Sequence, residues 1–385
     1  MDQNALRKKL EGPQGLLVAG LLSGTSADGI DVGLVGFRGD HAKQNGCRPE
    51  LHAFETVPFE FGLLQRLRGA LDGAPMDLAG VGRLHGDLGH AFGKAADQVA
   101  KAHGVALDWV GSHGQTVWHF DGDGEPGTLQ LGDGARVAAA CCAPVVSDFR
   151  AAHVAVGGHG APLAILADGR IFAGGPRPRI ILNLGGMANL SRLGRGQTSG
   201  TAFDTGPAGS LLDGLARALL KEPMDRDGRV AAGGQVQDEW VHHLLKSPFF
   251  DQKPPKSTGR DTFGQDFVDD FLKFAGPGAR PADVLASAVR AVARSVAQAI
   301  ARWLPDSGEY LVVAGGGVYN GALMGDLALE TGLITHSSAE IGVQPDARES
   351  MIFACLAVDF LQGRGTPVGN FERVVLGKLS LPPGT

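Results

Sequence analysis

Cysteine is scarce in this chain. Its 385 residues include only Cys47, Cys141, Cys142 and Cys355, and no two of them form a CxxC pair. This spacing indicates neither a disulfide framework nor a zinc site. Reduced thiols are typical of cytosolic proteins, so the sequence predicts a cytoplasmic location.

Basic charge and long apolar runs are lacking as well. The 35 Lys and Arg residues are scattered, and with 41 Asp and Glu they give a net charge of −6, so we expect no nucleic-acid partner. Arg7, Lys8 and Lys9 precede an apolar run at residues 16–22, a pattern that imitates a signal peptide. The run has only about seven residues, against the roughly twenty of a spanning helix, so we expect a buried strand and no membrane partner.

Glycine, in contrast, is abundant: the 59 glycines have no collagen-like period and predict many tight turns. The chain length favours two domains. Residues 16–22 and 30–37 fit two strands around a polar glycine loop, and residues 179–193 repeat that pattern. A third strand runs into glycines at residues 310–320.

Helical periodicity follows these strands. It is clearest at residues 282–304, between Pro281 and Pro305. We expect another helix with Ser210 as its cap, and a last helix at residues 347–361. Strands followed by helices, twice over, predict an α/β fold with a duplicated plan.

The first glycine loop, LLSGTSADGID at residues 21–31, is rich in hydrogen-bonding groups. Backbone N–H groups and hydroxyls suit phosphate oxygens, and the nearby carboxylates of Asp28 and Asp31 suit Mg²⁺. The loop contains no lysine, so it is not a Walker loop. Taken alone, the loop is better explained as an ordinary hairpin whose Ser and Asp side chains satisfy their own backbone.

Two further glycine elements strengthen the case for phosphate binding. They are NLGGMANL at residues 183–190 and AGGGVYNGAL at residues 314–323. Two such turns can clamp a polyphosphate, and a triple glycine lets backbone lie flat against a base or ribose. Gly122, Gly124 and Gly127 match GxGxxG, but they lie in an acidic loop with no strand before it, so we reject that match.

Several polar residues are candidates for chemistry. Asp204, in AFDTGPAGSLLD, is expected in a loop ahead of a helix, where the helix dipole would keep a general base ionised; a turn or capping Asp is the alternative. SHGQTVWH at residues 112–119 forms a polar cluster that suits sugar hydroxyls, or else holds ordinary loop histidines. Asp148 and Arg150 could bind an anion, or they could be solvated charges in a turn. Glu349 is a further candidate, with a simple carboxylate in the first turn of the last helix as the alternative.

In this order, the motifs resemble those of the anhydro-N-acetylmuramic acid kinases, a bacterial branch of the actin and sugar-kinase superfamily. The similarity covers residues 16–361, and the ordered set is specific although each motif is weak. The motifs are GLLSGTSADGID, GSHGQTVWH, VVSDFR with GGHGAPL, NLGGMANLS, AFDTGP, MDRDG, PPKSTGR and AGGGVYNGALM.

The resemblance implies two ribonuclease-H-like α/β domains of the actin-like ATPase type, with ATP in the cleft between them. Domain I would span residues 1–150, and domain II would span residues 151–385, with the last helix packing back on domain I. The resemblance assigns Asp204 as the catalytic base and Glu349 as a carboxylate near the sugar. The residues that it implies for ATP are Ser23, Gly24, Thr25, Ser26, Ala27, Asp28, Gly29, Ile30, Asp31, Gly185, Gly186, Gly315, Gly316, Gly317 and Asn320.

The resemblance also implies the reaction and its partners. This family opens the 1,6-anhydro ring of anhydro-N-acetylmuramate with ATP and Mg²⁺ and phosphorylates the same sugar, in peptidoglycan recycling. Asp28 is a candidate metal ligand, and a homodimer fits the family. The residues implied on the sugar side are Thr116, His119, Asp148 and Arg150.

The chain departs from the family pattern at several positions. Ala151, Ala152 and His153 stand where the family usually has Arg, Arg and Asp, and His159 stands where Gln is usual. Ala208 and Gly209 follow the GP of AFDTGP where the family has Gly and Asn. These changes leave two alternatives open: an actin-fold kinase for another sugar or polyol, and a nucleotide-dependent switch without sugar chemistry.

Overall fold

In a computed structural model, the chain forms two compact units. Unit 1 comprises Met1–Ala173 and Ala347–Thr385, and unit 2 comprises Gly174–Asp346. The sequence placed the boundary between residues 150 and 151, so residues 151–173 and the end of the chain fall in a different unit from the one expected. The described residues are 8–10, 12, 15–24, 27, 29–39, 48–120, 126–161, 163–172, 179–193, 202–305, 308–368 and 370–384.

Unit 1 is built on a seven-stranded sheet with the order β14-β6-β4-β1-β2-β3, and β5 pairs with β4. A separate pair joins β12 and β13. β1 runs antiparallel to β2 and parallel to β4. Numbered along the whole chain, its strands are β1 (Leu16–Ser23), β2 (Ile30–Arg38), β3 (Arg48–Val57), β4 (Trp109–Phe120), β5 (Gly127–Leu131), β6 (Val145–Ser147), β12 (Thr366–Val368), β13 (Phe371–Val374) and β14 (Lys378–Ser380).

The helices of unit 1 cover its sheet, and the last of them packs directly on β1. A Cβ at Gly20 of β1 would collide with the main-chain carbonyl of Ser350, so only glycine allows this close approach. The last helix therefore packs on the sheet of unit 1. The helices are α1 (Phe61–Leu71), α2 (Leu78–Ala102), α3 (Gly134–Cys141), α4 (Phe149–Val154), α5 (Ile165–Ile171) and α13 (Arg348–Leu361).

Two ion pairs explain why α5 belongs to unit 1. Arg348 of α13 binds Asp168 of α5 in a bidentate pair, with Nε–Oδ1 at 3.0 Å and Nη2–Oδ2 at 2.6 Å, and both side chains are fully buried. Arg170 and Asp359 form a second bidentate pair between the same helices. Removing one member of a buried pair leaves an uncompensated charge, so these pairs hold α5 against α13.

Unit 2 repeats the plan with a five-stranded sheet of order β11-β10-β7-β8-β9. β7 and β8 form the second glycine hairpin, and β10 runs parallel to β7. Its strands are β7 (Arg179–Leu184), β8 (Met187–Leu193), β9 (Ala202–Pro207), β10 (Tyr310–Ala314) and β11 (Ile334–Ser337). Its helices are α6 (Gly209–Leu219), α7 (Arg229–Ala232), α8 (Asp238–Leu244), α9 (Arg260–Phe263), α10 (Gln265–Ala275), α11 (Pro281–Trp303) and α12 (Gly321–Thr331).

The long helix α11 is the core helix of unit 2, and it begins at the proline that the sequence indicated. Its apolar stripe, which includes Leu285, Val289 and Val296, is buried. Within the described ranges α11 alone is long and apolar enough to cross a membrane by length and composition, and its apolar stretch is 72% buried inside the protein. Burial of this kind is typical of the core helix of a sheet-based domain.

Three local expectations were wrong. Asp204 lies within strand β9 rather than in a loop, because β9 pairs with β8 and ends only at Pro207; as the edge strand, β9 tolerates a proline. The N-cap of α6 is Ala208, so Ser210 lies in the first turn and is not the cap. Residues 112–119 belong to β4, so their histidines are strand residues and not loop residues.

Candidate active site

The hairpin between β1 and β2 in unit 1 is held by buried side chains and by a hydrogen bond from β4. Ala27 and Ile30 are buried in the core, so only their backbone can face a ligand. The carbonyl of Gly24 accepts hydrogen bonds from the Ala27 N–H at 3.1 Å and from Gln115 Nε2 at 3.2 Å. Ser23 is buried, and its hydroxyl has no hydrogen-bond partner among the described residues.

The structure describes only some of the other residues of this loop. Thr25, Ser26 and Asp28, all expected at the phosphates, lie outside the described residues. Asp31, in β2, accepts a hydrogen bond from Thr56 Oγ1 of β3 at 2.6 Å. Gly29 lies against the same Thr56. Thr56 was not recognised in the sequence, because its link to the loop depends on strand pairing across 25 residues.

The two sugar-side candidates of β4 belong to one hydrogen-bonded network. Gln130 Nε2 donates to Thr116 Oγ1 at 3.2 Å and to Thr128 Oγ1 at 2.7 Å. His119 Nδ1 lies 3.2 Å from Thr128 Oγ1. Thr128 and Gln130 were missed in the sequence. Their alternation in β5, which places both on one face, was the signal that could have found them.

Arg150 is oriented by a neutral histidine. Its Nε donates to His113 Nε2 at 2.8 Å, and its Nη1 donates to the Gly160 carbonyl at 2.9 Å. His113 Nδ1 faces the Gly114 carbonyl at 3.1 Å, which fixes the Nδ1–H tautomer because a carbonyl can only accept. Burial, and then the Arg150 charge, lower the pKa of His113 to about 3, so it stays neutral at physiological pH.

Two expected carboxylates of unit 1 lie in different surroundings. Asp148 precedes α4 with a left-handed φ of 59°, and its Oδ2 is 3.9 Å from Nζ of the exposed Lys378. The ion pair between Asp148 and Lys378 therefore lies at the surface. Glu349 is exposed in the first turn of α13, between the buried Arg348 and Ser350. The buried side chains of Arg348 and Ser350 therefore fix the backbone at Glu349, and the Glu349 side chain reaches solvent.

The turn of the second glycine hairpin, in unit 2, is held by main-chain hydrogen bonds from the start of α6. The Gly185 carbonyl accepts from the Gly209 N–H at 2.9 Å, and the Gly186 carbonyl accepts from Ala208 at 2.9 Å and Ser210 at 3.0 Å. A Cβ at Gly186 would meet no atom within 4 Å. The fold itself does not require glycine there, which leaves close approach of a bound molecule as a reason for it.

The third glycine element follows β10 and is a tight turn. The Gly315 N–H donates to the Pro345 carbonyl at 3.3 Å, and Gly316 faces open space. Gly317 lies against Leu184 of β7. The Asn320 side chain caps α12, because its Oδ1 accepts from the Leu323 N–H at 3.0 Å. Asn320 therefore shapes the turn, and the glycine backbone is the surface that a nucleotide can contact.

Asp204 is the part-buried carboxylate of β9, and a neighbouring loop holds it on two sides. Its N–H donates to the Lys256 carbonyl at 3.1 Å, and its Oδ2 accepts from the Thr258 N–H at 2.9 Å. Lys256 Nζ itself donates to the Phe249 carbonyl at 2.9 Å, and burial lowers its pKa. PPKSTGR was recognised in the sequence as one of the family motifs, but its contacts with Asp204 were missed.

Asp213 is a further carboxylate that the sequence did not indicate. It lies on α6, whose first residues hold the second hairpin, and its Oδ2 would be 3.5 Å from a Cβ at Gly209. Burial raises the pKa of Asp213 to about 6. No group of three metal-binding side chains is present in the part of the chain that the structure describes.

A family profile described as "Anhydro-N-acetylmuramic acid kinase" matches residues 16–376. This chain belongs to the anhydro-N-acetylmuramic acid kinase family. A family member from Salinibacter ruber is 38% identical over 388 residues, which cover 95% of this chain and 96% of that protein. Another, from Xanthomonas campestris, is 41% identical over 355 residues, with 90% and 92% covered. Both carry the name anhydro-N-acetylmuramic acid kinase.

Among solved structures, the chain is similar to the activator of the 2-hydroxyisocaproyl-CoA dehydratase from Clostridium difficile. The identity is 14%, the TM-score is 0.43, and 90% of this chain and 96% of that chain are covered. A ROK family glucokinase from Streptomyces griseus is similar with 15% identity, a TM-score of 0.39, and 89% and 99% covered.

Proposed function

We propose that this protein is an ATP-dependent kinase of anhydro-N-acetylmuramic acid. It opens the 1,6-anhydro ring with water and phosphorylates O6, giving N-acetylmuramate 6-phosphate and ADP. The observation that carries this proposal is Asp204, a carboxylate held in a strand by the Thr258 N–H, in a chain that matches the family over residues 16–376. The reaction belongs to cytoplasmic recycling of peptidoglycan.

Asp204 is the general base in this proposal. It takes a proton from water, whose oxygen bonds to the anomeric carbon while the bond from that carbon to O6 breaks. The departing O6 bonds to the γ-phosphorus of ATP, and ADP leaves. The phosphoryl group replaces the acid that an inverting glycosidase needs, so one carboxylate is enough. Because Thr258 donates to Oδ2, the carboxylate keeps a fixed orientation toward the water.

The nucleotide is bound mainly by backbone in this proposal. The residues around Ser23 and Gly24 in unit 1, and Gly186 in unit 2, provide N–H groups to phosphate oxygens, while Gly185, whose N–H donates to the Met187 carbonyl at 3.2 Å, shapes the second turn. The turn at Gly315–Gly317 lies against the adenosine. Two observations support this assignment: the buried hydroxyl of Ser23 has no hydrogen-bond partner among the described residues, and a Cβ at Gly186 would meet no atom within 4 Å.

The donor chemistry of the first hairpin also fits Mg²⁺. The Ser23 hydroxyl and the Asp31 carboxylate are oxygen donors of the kind this ion takes, and few protein ligands are needed because phosphates and water complete its shell. Asp28 is a further proposed ligand. When bound, the ion neutralises charge on the phosphate oxygens.

The sugar is held by residues of unit 1 in this proposal. Thr116 and His119 supply hydrogen bonds from the β4 and β5 network, and Arg150 supplies a cation for the lactyl carboxylate. Glu349 hydrogen-bonds a sugar hydroxyl. We also propose a homodimer, which light scattering would detect as twice the 39.9 kDa mass of one chain.

The decisive test is product formation. The full chain is incubated with Mg-ATP and anhydro-N-acetylmuramate, and ADP and sugar phosphate are measured by chromatography and mass spectrometry. We expect one N-acetylmuramate 6-phosphate for each ADP. ADP without sugar phosphate would identify an ATPase switch instead, and product only from another sugar would reassign the substrate.

A further inference from the structure

His153 contacts a glycine-rich corner of unit 1, defined here as Gly157–Gly160. His153 lies in α4, three residues after Arg150, and is about half-buried. Its Nδ1 accepts a hydrogen bond from the Gly160 N–H at 2.9 Å, and its carbonyl accepts one from the Gly158 N–H at 3.0 Å. One residue therefore binds the corner through both its side chain and its main chain.

The corner is closely packed on the imidazole ring. A Cβ at Gly158 would collide with Cε1 and Nδ1 of His153 and lie 2.7 Å from Val368 Cγ1. Only glycine allows the chain to approach the ring this closely. The position of the imidazole therefore determines the path of the backbone from Gly158 to Gly160.

The same corner contacts two of the sugar-side candidates. The Gly160 carbonyl accepts from Arg150 Nη1 at 2.9 Å. A Cβ at Gly160 would lie 3.2 Å from Cε1 of His119, so the two residues are in contact. A shift of Gly160 would therefore move Arg150 and His119 together.

We propose that His153 is a positioning residue that fixes the corner Gly157–Gly160 against Arg150 and His119. Because of His153, sugar binding weakens at acid pH. This inference rests on the proposed function, because it takes Arg150 and His119 as sugar-binding residues. His153 acts through Gly160 and does not itself touch the sugar.

The direction of the pH effect follows from the hydrogen bond. Nδ1 can accept the Gly160 N–H only while it carries no proton. The charged and titratable groups that face His153 are Arg150 on its own helix and His159 in the corner, and His119 reaches it through Gly160. Burial, then His159 and Arg150, lower the pKa of His153 below 6.5. The bond is therefore complete at neutral pH and is lost as the pH falls through the lowered value.

The test compares His153→Asn with His153→Ala in the full chain. The Asn side-chain oxygen can accept from the same N–H but does not titrate, whereas Ala has no acceptor. Binding of anhydro-N-acetylmuramate is measured by calorimetry from pH 8 down to the lowest pH at which the protein stays folded. We expect the wild-type affinity to fall about five- to tenfold at acid pH, the Asn variant to bind equally across the range, and the Ala variant to bind weakly throughout. His159→Asn, the neighbouring control, should keep the acid loss.

Two outcomes would overturn the proposal. The first is an unchanged acid loss in His153→Asn, and the second is full affinity of His153→Ala at pH 8. Hydrogen exchange of the Gly160 amide provides a readout that needs no sugar. At acid pH, this amide should be less protected from exchange in the wild type than in His153→Asn. If wild type neither binds nor turns over the sugar but shows this lower protection, the proposed function fails while the role of His153 in holding the corner stands. Equal protection in both proteins would contradict that role.

Discussion

The two glycine hairpins share a strand–turn–strand plan, but they are held in different ways. In unit 1, side chains hold the hairpin: Gln115 bonds the Gly24 carbonyl, and Ile30 lies in the core. In unit 2, the main chain of the α6 start bonds both Gly185 and Gly186. Substitution of a distant side chain should therefore disturb the first hairpin. The second hairpin should respond instead to side chains introduced at its own glycines.

In unit 2, the contacts of the Asp204 side chain differ from those of the hairpin turn. Asp204 lies on β9, next to β8 of the second hairpin, but its hydrogen bonds run to the loop that contains Lys256 and Thr258. The carboxylate of the proposed base thus has a support distinct from the hydrogen bonds of the hairpin turn, although Asp204 pairs with Asn189 of β8 through the strand. Removal of the carboxylate alone, as in Asp204→Asn, should therefore leave the hairpin in place.

The largest expected effect is that of Asp204→Asn. Loss of the general base should reduce kcat by about 10³-fold, while ATP affinity stays nearly unchanged because the base contacts water and not nucleotide. Turnover is measured by product formation, and ATP affinity by calorimetry. A loss of ATP affinity equal to the loss of turnover would show that the hairpin and the base are not independently supported.

Gln115→Leu tests the side-chain support of the first hairpin. Gln115 is 1% exposed, and its amide bonds the carbonyls of Gly24 and Thr116. Without those bonds we expect the KM for ATP to rise about tenfold. Gln130→Leu is the matched control on the adjacent strand, where the KM for the sugar should rise instead. Equal effects of the two variants on ATP would contradict the assignment.

Gly186→Ala tests the second hairpin. Because a Cβ there meets no protein atom within 4 Å, the folded protein should be as stable as wild type, while the methyl group occupies space proposed for phosphate. We expect the KM for ATP to rise roughly fivefold. This effect is smaller than the loss of one hydrogen bond to a charged group would cause. Gly325→Ala, on the exposed face of α12, also meets no atom and should leave KM unchanged. Wild-type KM for Gly186→Ala would remove this hairpin from the site.

Asp213→Asn is expected to have the smallest effect, and one that depends on pH. The pKa of Asp213 is raised from 3.8 to about 6 in the folded protein, so folding favours its protonated form and the wild type loses stability as the pH rises through that range. With allowance for its partial exposure, the Asn variant should be more stable by about 1 kcal/mol at pH 8 and equal at pH 4. Urea unfolding at both pH values measures this, and an equal gain at both would contradict the titration.

Much of the fold followed from local pattern. Apolar runs around glycine loops predicted the hairpins of both sheets, and the helix bounded by Pro281 and Pro305 was confirmed almost to the residue. Asp204 was misplaced because the Gly and Pro after it indicate a loop locally. Pairing of β9 with β8 as an edge strand outweighed that signal.

The contacts within the candidate site could not be predicted in the same way. Gln115 and Gly24 are 91 residues apart, Thr258 and Asp204 are 54 apart, and Arg348 and Asp168 are 180 apart. Such partners are set by how strands and helices pack, which local periodicity does not encode. The sequence could therefore single out Asp204 and Glu349 as candidates, but not the neighbours that hold them.

The central claim is that water opens the anhydro ring while the sugar oxygen takes the phosphoryl group. It is tested most directly by running the reaction in ¹⁸O-labelled water and fragmenting the product in a mass spectrometer. The account predicts one ¹⁸O on the anomeric carbon of N-acetylmuramate 6-phosphate and none in its phosphate. Label in the phosphate, or a phosphorylated sugar that still contains the anhydro ring, would contradict it.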